Sequence, residues 1–280
     1  FDGILEKSIA LAAFIPVIIG MGGYVSGPVG VAAKLCGRKL VIHEQNSVAG
    51  LTNRLLCILA NRTLQAFPGT FKKGAKVITT GNPVRRSISL LPSPEVRAKG
   101  RTHLSLLIFG GSRGAKVLNN IIPRAVVQSG LNNLSILHQT GSGNEPSIGL
   151  GYAGLDSTCS VEVVDYIEDM SSAYNQADLV IARAGAVTVA EIMVVGVASI
   201  LIPFAKAVDN HQLMNAAHLS KAGASITITE AQLSVSKVAA TIKKLLSDEQ
   251  CLLNMAKSAR LVGCKDSISL VVENSIGFET

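Results

Sequence analysis

Short apolar runs alternate with amphipathic segments along almost the whole chain. "PVIIG" predicts a buried strand after a break at Pro16, followed by a helix from Pro28 to Cys36. Ser26 is placed to cap that helix, Pro28 sits in its first turn, and Gly37 is placed to end it. "KLVIHEQN" reads as the next strand, "AGLTNRLLCILA" as the next helix, and "RTLQAF" and "AKVITTGNP" as two further strands. Alternation of this kind predicts half of a parallel sheet.

Between Arg85 and Arg101 the pattern lapses into "RRSISLLPSPEVRAKGR", with two prolines and clustered serines, the signature of a domain connection. The alternation then restarts. It gives strand "HLSLLIF", loop "GGSRGA", a helix to about Gln128, strands "LSILHQ" and "CSVEVV", helix "DMSSAYNQA", strand "DLVIARAG", helix "TVAEIMVV" and strand "SILIPF". A helix from Asn210 to Ala222, the strand "ASITIT" and helical segments complete the chain. The expected division is an N-terminal domain over 1–88, a linker over 89–100, a C-terminal domain over 101–265, and a terminal helix over 266–280 packing back on the N-terminal domain.

A strand, a glycine loop and a helix follow one another three times, at "VIIGMGGYVSGP", "LLIFGGSRGA" and "VIARAGAVTVAE". Glycine lets the backbone turn tightly and lets a ligand approach it, and the following helix aims unpaired N–H groups at an anion. One such cluster could be a plain turn. Three of them on two half-sheets predict ligand loops at the carboxyl ends of the strands, facing a cleft between two domains.

Composition narrows the partners. The 280 residues suffice for two domains, and 48% hydrophobic residues exclude disorder. The net charge of +7 favours anionic partners, but the basic residues are scattered and lack interleaved aromatics, which argues against nucleic acid. Five cysteines without a C-x-x-C pair read as thiols of a reducing compartment, and five dispersed histidines propose no metal site. Ser8 to Ala33 carries no charge, yet Pro16 and the glycines interrupt it, so no membrane span is expected. Asp2 and Glu6 argue against a signal peptide, and a first residue Phe suggests that something upstream is missing.

Several strings carry candidate chemistry. "GGSRGA" could hold a phosphate through backbone N–H groups and the Ser112 hydroxyl. The strand after it ends "LHQTG", without the acidic residue that a nicotinamide-binding unit places there, which weakens a dinucleotide reading. In "RAGAVTVAE", Glu191 could accept hydrogen bonds from both hydroxyls of a ribose, or could simply be an exposed helix glutamate. "DNHQLMNA" offers Asp209, Gln212 and Asn215 either to sugar hydroxyls or to water. "HEQN" ends a strand with unusually dense function, and "GNPVR" lets Arg85 reach an anion across the domain junction.

Together "GMGGYVSGP", "HEQN", "AGLTN", "QAFPG", "GNPVR", "GGSRGA", "HQTG", "DMSSAYNQAD", "RAGAVTVAE" and "NAAHLSKAGA" resemble the MurG family over nearly the whole chain. The resemblance implies an α/β GT-B fold, two Rossmann-like domains with parallel sheets facing a cleft, with an incomplete N-terminal domain. It implies transfer of N-acetylglucosamine from UDP-GlcNAc to undecaprenyl-diphosphate-linked muramyl pentapeptide, lipid I, giving lipid II for peptidoglycan. The transfer would be inverting and metal-independent, with no cofactor. By motif, Glu44 would lie near the reacting centre as the catalytic candidate. The donor would be held by Asn46, Arg85, Ser112, Ile167 (at the uracil), Ala186, Val187, Thr188, Val189, Ala190, Glu191 (at the ribose) and Gln212 (at the sugar). Gly22, Gly23 and Tyr24 would hold the acceptor. Family membership implies peripheral attachment at the cytoplasmic face of the inner membrane, with the apolar segment from Ile9 to Phe14 a candidate contact.

There are departures. The family's N-terminal strand, first glycine-rich loop and proposed base histidine have no counterpart, and His43 does not match that histidine. Arg113 replaces a usual Gln, Ala184 a usual Ser, and "PFAKAVDNHQ" is one residue longer than expected. The chain is therefore expected to be a fragment of a longer chain or a decayed gene product, without turnover if it is complete as given. Rival expectations are a related GT-B lipid glycosyltransferase, a non-catalytic UDP-sugar-binding remnant and, last, an NAD-dependent oxidoreductase.

Overall fold

The computed structural model describes residues 16–111, 115–207 and 210–276. The chain forms two compact units, one running up to Val84 and resuming at Cys264, the other from Arg85 to Gly263. The first holds strands β1 (Val17–Gly20), β2 (Lys39–Glu44), β3 (Arg62–Gln65) and β4 (Val77–Thr79). They pair in parallel in that order. Helices α1 (Ser26–Leu35) and α2 (Leu51–Leu59) fill the first two crossovers. Ala33, Leu40, Ile42, Leu56 and Ala60 form the core beneath them. The two helices approach closely at Gly30, where a Cβ would fall 2.7 Å from Leu56 Cδ2. The C-terminal helix (Ser267–Ile276) belongs to this unit, with Arg62 Nη1 donating to Asn274 Oδ1 at 2.5 Å.

Two local expectations fail here. The strand β1 is half-buried rather than buried, with Ile19 43% exposed, because among the described residues it lies at the sheet edge and pairs only with β2. Ser26 is not the cap of α1. Val25 holds the cap position, and the Ser26 hydroxyl instead donates to the Gly22 carbonyl at 2.6 Å, tying the glycine loop to the helix it precedes.

The second unit begins with short helices α3 (Arg86–Ser89) and α4 (Pro94–Ala98). Its strands are β5 (Leu104–Phe109), β6 (Leu134–Gln139), β7 (Ser160–Val164), β8 (Leu179–Ala182), β9 (Ala198–Leu201) and β10 (Ser225–Thr227). All pairs are parallel, in the order β7-β6-β5-β8-β9-β10. This is a doubly wound sheet whose direction of winding reverses between β5 and β8, the place where such sheets bind ligands. The crossovers carry α5 (Lys116–Ser129), α6 (Glu145–Leu150), α7 (Met170–Gln176), α8 (Ala186–Val195) and α9 (His211–Lys221), and α10 (Val235–Leu246) and α11 (Glu249–Val262) follow β10. Runs such as "LLIF", "LVIA" and "ASIL" are apolar without alternation because helices cover both faces of the sheet.

The stretch 89–100, expected as a linker, packs into the second unit, and the division falls between Val84 and Arg85, before the expected boundary at 88. Arginines fasten it: Arg97 donates to the carbonyls of Tyr174, Ala177, Val195 and Gly196, and Arg260 to those of Val194, Val195 and Leu91. Proline and serine composition signals a connection but is silent on such long-range bridges to backbone oxygens. The short helix α6 was also not expected. Among the described residues no helix is long and apolar enough to cross a membrane, and the Ile9 to Phe14 segment lies outside them.

Candidate active site

At the carboxyl end of the second unit's sheet, the loops after β5, β8 and β9 line a cavity of about 530 Å³, with Gly110, Gly111, Lys116, Arg183, Gly185, Thr188, Phe204 and Gln212 among its walls. The close turn at Gly110 is possible only for glycine, since a Cβ there would fall 2.4 Å from the Cβ of Ala115 and 2.7 Å from its backbone nitrogen. Gly111 follows at φ +95°, a left-handed conformation that favours glycine. Ser112 lies outside the described residues.

Arg85 and Glu191 meet at 3.2 Å between Nη2 and Oε1, although 106 residues separate them in the chain. The other oxygen of Glu191 accepts from the Tyr174 hydroxyl at 3.1 Å. Glu191 is buried, not the exposed helix residue of the alternative reading. Burial, and then the Glu191 charge, push the Tyr174 hydroxyl well above its ordinary pKa, so it remains a donor. Tyr174 itself packs edge-on against Phe109 at 6.1 Å between ring centres. Sequence reasoning missed Tyr174 as a partner of Glu191, although the string "DMSSAYNQAD" contained it.

The run from Ala186 to Glu191 divides by helical geometry. Gly185 caps α8, so Ala186, Val187 and Thr188 form its first turn, where N–H groups lie beyond the reach of the helix's own carbonyls. Thr188 and Gly185 line the cavity. Val189 and Ala190 lie deeper in the run: both side chains are buried, and the Val189 N–H already donates to the Gly185 carbonyl at 2.9 Å. Ile167 is buried as well, on the loop between β7 and α7. Gln212 reaches the cavity, but its Oε1 accepts from the Phe204 N–H at 2.9 Å, fixing the loop after β9.

Arg183 is a cavity residue not singled out from the sequence. It donates to the carbonyls of Ile202 and Pro203, pairs with Glu230 at 2.6 Å, and lies 5.4 Å from the Phe204 ring centre. The only sequence signal was the arginine opening "RAGAVTVAE".

In the first unit the "HEQN" and "GMGGYVSGP" loops sit together at the carboxyl ends of β1 and β2. Glu44 is 3% exposed, and its carboxylate is already engaged. One oxygen accepts from the Asn46 N–H (3.0 Å) and side-chain amide (3.3 Å), the other from the Gly50 N–H (3.1 Å) and Asn53 Nδ2 (2.8 Å). These bonds make Glu44 an organiser of its loop and of the start of α2, and they turn Asn46 toward it. Asn53 also donates to the His43 carbonyl, and its amide nitrogen lies 3.3 Å from where a Cβ on Gly22 would stand. Gly22 and Gly23 have φ of +85° and +79°, and Tyr24 is 88% exposed. His43 Nε2 faces the Gly81 carbonyl at 3.0 Å, and burial lowers its pKa. Among the described residues no cluster of three or more His, Cys, Asp or Glu side chains could hold a metal.

Residues 105–271 match the glycosyltransferase family 28 C-terminal domain and residues 4–65 the family 28 N-terminal domain. A relative from Aeromonas hydrophila subsp. hydrophila is named UDP-N-acetylglucosamine–N-acetylmuramyl-(pentapeptide) pyrophosphoryl-undecaprenol N-acetylglucosamine transferase. It is 45% identical over 257 residues, covering 92% of this chain and 70% of the relative. One of the same name from Hahella chejuensis is 44% identical over 257 residues, covering 91% and 71%. The crystal structure of Acinetobacter baumannii MurG superimposes with a TM-score of 0.89 at 35% identity, covering 99% of this chain and 79% of that one. Identity of this order across both units, with a GT-B fold in common, makes the chain a member of the MurG family of glycosyltransferases.

Proposed function

We propose that this chain carries the MurG reaction, transfer of N-acetylglucosamine from UDP-GlcNAc to undecaprenyl-diphosphate-linked muramyl pentapeptide. In this proposal the second unit takes the donor and the first the acceptor. The observation that carries the donor half is the cavity at the switch between β5 and β8, with the exposed Arg85 paired to the buried Glu191 and Tyr174 in the same unit. A carboxylate and a guanidinium are what a ribose diol and a diphosphate require, and the first turn of α8 adds N–H groups for the anion. The transfer needs stabilisation of departing UDP, which Arg85 and the N–H groups would supply, and a base for the acceptor hydroxyl. Glu44, with both oxygens engaged, is not assigned as that base.

Calorimetric titration with UDP-GlcNAc, against UDP-galactose and NADH, tests the donor half. Selective heat with UDP-GlcNAc is expected, and a folded chain that binds none of the three overturns the assignment. For the acceptor half, Gly23→Val, strained at a φ of +79°, should impair use of the lipid acceptor and leave UDP-GlcNAc affinity near normal. Equal loss of both would remove the loop from the acceptor site. The net charge of +7 supports peripheral attachment to an anionic membrane surface. Pelleting with vesicles rich in phosphatidylglycerol, absent with phosphatidylcholine alone, is the expected result.

A further inference from the structure

The motif "HQTG" closes β6 and takes no part in the donor contacts above. Gln139, its second residue, is 4% exposed and is the last residue of β6, between Phe109 of β5 and Val164 of β7. Its single amide nitrogen lies 3.2 Å from the Gly111 carbonyl and 3.2 Å from the Asp165 carbonyl. Both hydrogens of that –NH2 are thereby used, one on each of two different loops. The Gly111 loop follows β5 and lines the cavity proposed for the donor. The Asp165 loop follows β7 and leads within two residues to Ile167, the residue expected at the uracil.

We infer that Gln139 is the positioning residue of the donor site, a two-way tether that sets the phosphate loop and the base loop at the spacing of one nucleoside diphosphate. The inference rests on the donor assignment above. A glycine loop can turn its N–H groups to an anion only if its carbonyls are held away from that anion, and Gly111, at φ +95°, has no side chain of its own to pack and hold that orientation. Gln139 supplies the restraint from below. The rest of the motif braces the second loop. The Gly141 N–H donates to the same Asp165 carbonyl at 3.1 Å, and the Gly143 N–H donates to the Asp165 carboxylate at 3.2 Å. Asn119 Nδ2 holds the Thr140 carbonyl at 2.9 Å. Gln139 is the residue among these whose side chain reaches both loops.

The variant Gln139→Met keeps the length and volume of the side chain and removes both donors. In a variant that melts as a folded protein, the Kd for UDP should rise by at least about tenfold, as expected for two lost hydrogen bonds to an ordered site. An unchanged Kd overturns the inference. A second measurement uses the unaltered chain: hydrogen exchange with saturating uridine, which has no phosphate. If Gln139 couples the loops, uridine should protect peptides covering 164–168 and also those covering 108–116, which it does not touch. Protection confined to 164–168 overturns the inference even if Gln139→Met fails to fold. Failure of the unaltered chain to bind UDP at all is the distinct result that overturns the donor assignment, and the tether with it.

Discussion

Glu191 and Glu44 are both buried carboxylates on the margins of glycine loops, and their partners give them opposite roles. Each oxygen of Glu191 has one partner, Arg85 or the Tyr174 hydroxyl, and a carboxylate oxygen accepts more than one hydrogen bond, so capacity remains for a ribose. Glu44 spends its oxygens on four donors of its own loop and of α2. Replacement of Glu191 by Ala should leave the buried Tyr174 hydroxyl without its acceptor and release Arg85. Uridine and UDP affinity should both fall, by about tenfold or more, in competition binding. A loss confined to UDP would place Glu191 at the phosphates. The residue types at both positions were legible in the sequence. What distinguished them was not, because the partners of Glu191 come from α7 and from Arg85, on other parts of the chain.

At the scale of elements, the glycine loops were legible because backbone conformation is a local demand and glycine meets it. Gly110 shows how tight that demand is. Gly110→Ala would drive a methyl group into Ala115 and displace the start of α5. Overpacking of this kind costs about 1–3 kcal/mol. The expected readout is a rise of about tenfold in the UDP Kd with a smaller change for uridine, which does not use the phosphate loop. Equal losses for the two ligands would show that the loop serves folding of the whole site. The strand order was less legible. Alternating strands and helices predict parallel sheets, but they do not state that β8 returns to lie beside β5, the step that makes the ligand-binding switch. The connection over 89–100 was misread for the same reason, since Arg97 and Arg260 bind it through backbone carbonyls far away in the chain.

For the whole molecule, stability should depend on pH through a buried histidine. His138 in β6 is fully buried, shares a 2.9 Å hydrogen bond with the Tyr152 hydroxyl, and is lowered by burial to a pKa of about 4. The unfolded chain, with an ordinary histidine near 6.5, binds the proton first as pH falls. Above pH 6.5 the group contributes no pH dependence. Between about 6.5 and 4 the unfolded state binds more protons, so stability falls as pH is lowered, by roughly 3 kcal/mol in all. His43 and His218 are also lowered by burial and act in the same direction. Urea unfolding at pH 7.5 and 5.0 should show the loss, and His138→Phe should make that difference smaller. An equal pH difference in the variant would assign it to other groups.

The sequence alone determined the α/β class, the parallel sheets, the three glycine loops and, through the order of ten short strings, the family. The first three depend on spacing over a few residues, that is on apolar period, helix start and turn conformation; the family was legible only as a resemblance carried by those strings. Tertiary structure decided what each polar side chain faces. It paired Glu191 with Arg85 and Tyr174, engaged both oxygens of Glu44 with its own loop and α2, turned Val189 and Ala190 into the core, and placed Gln139 between two loops. A buried polar group must find its partner wherever the packed sheet brings one, and that partner can lie more than a hundred residues away in a chain whose local pattern carries no trace of it.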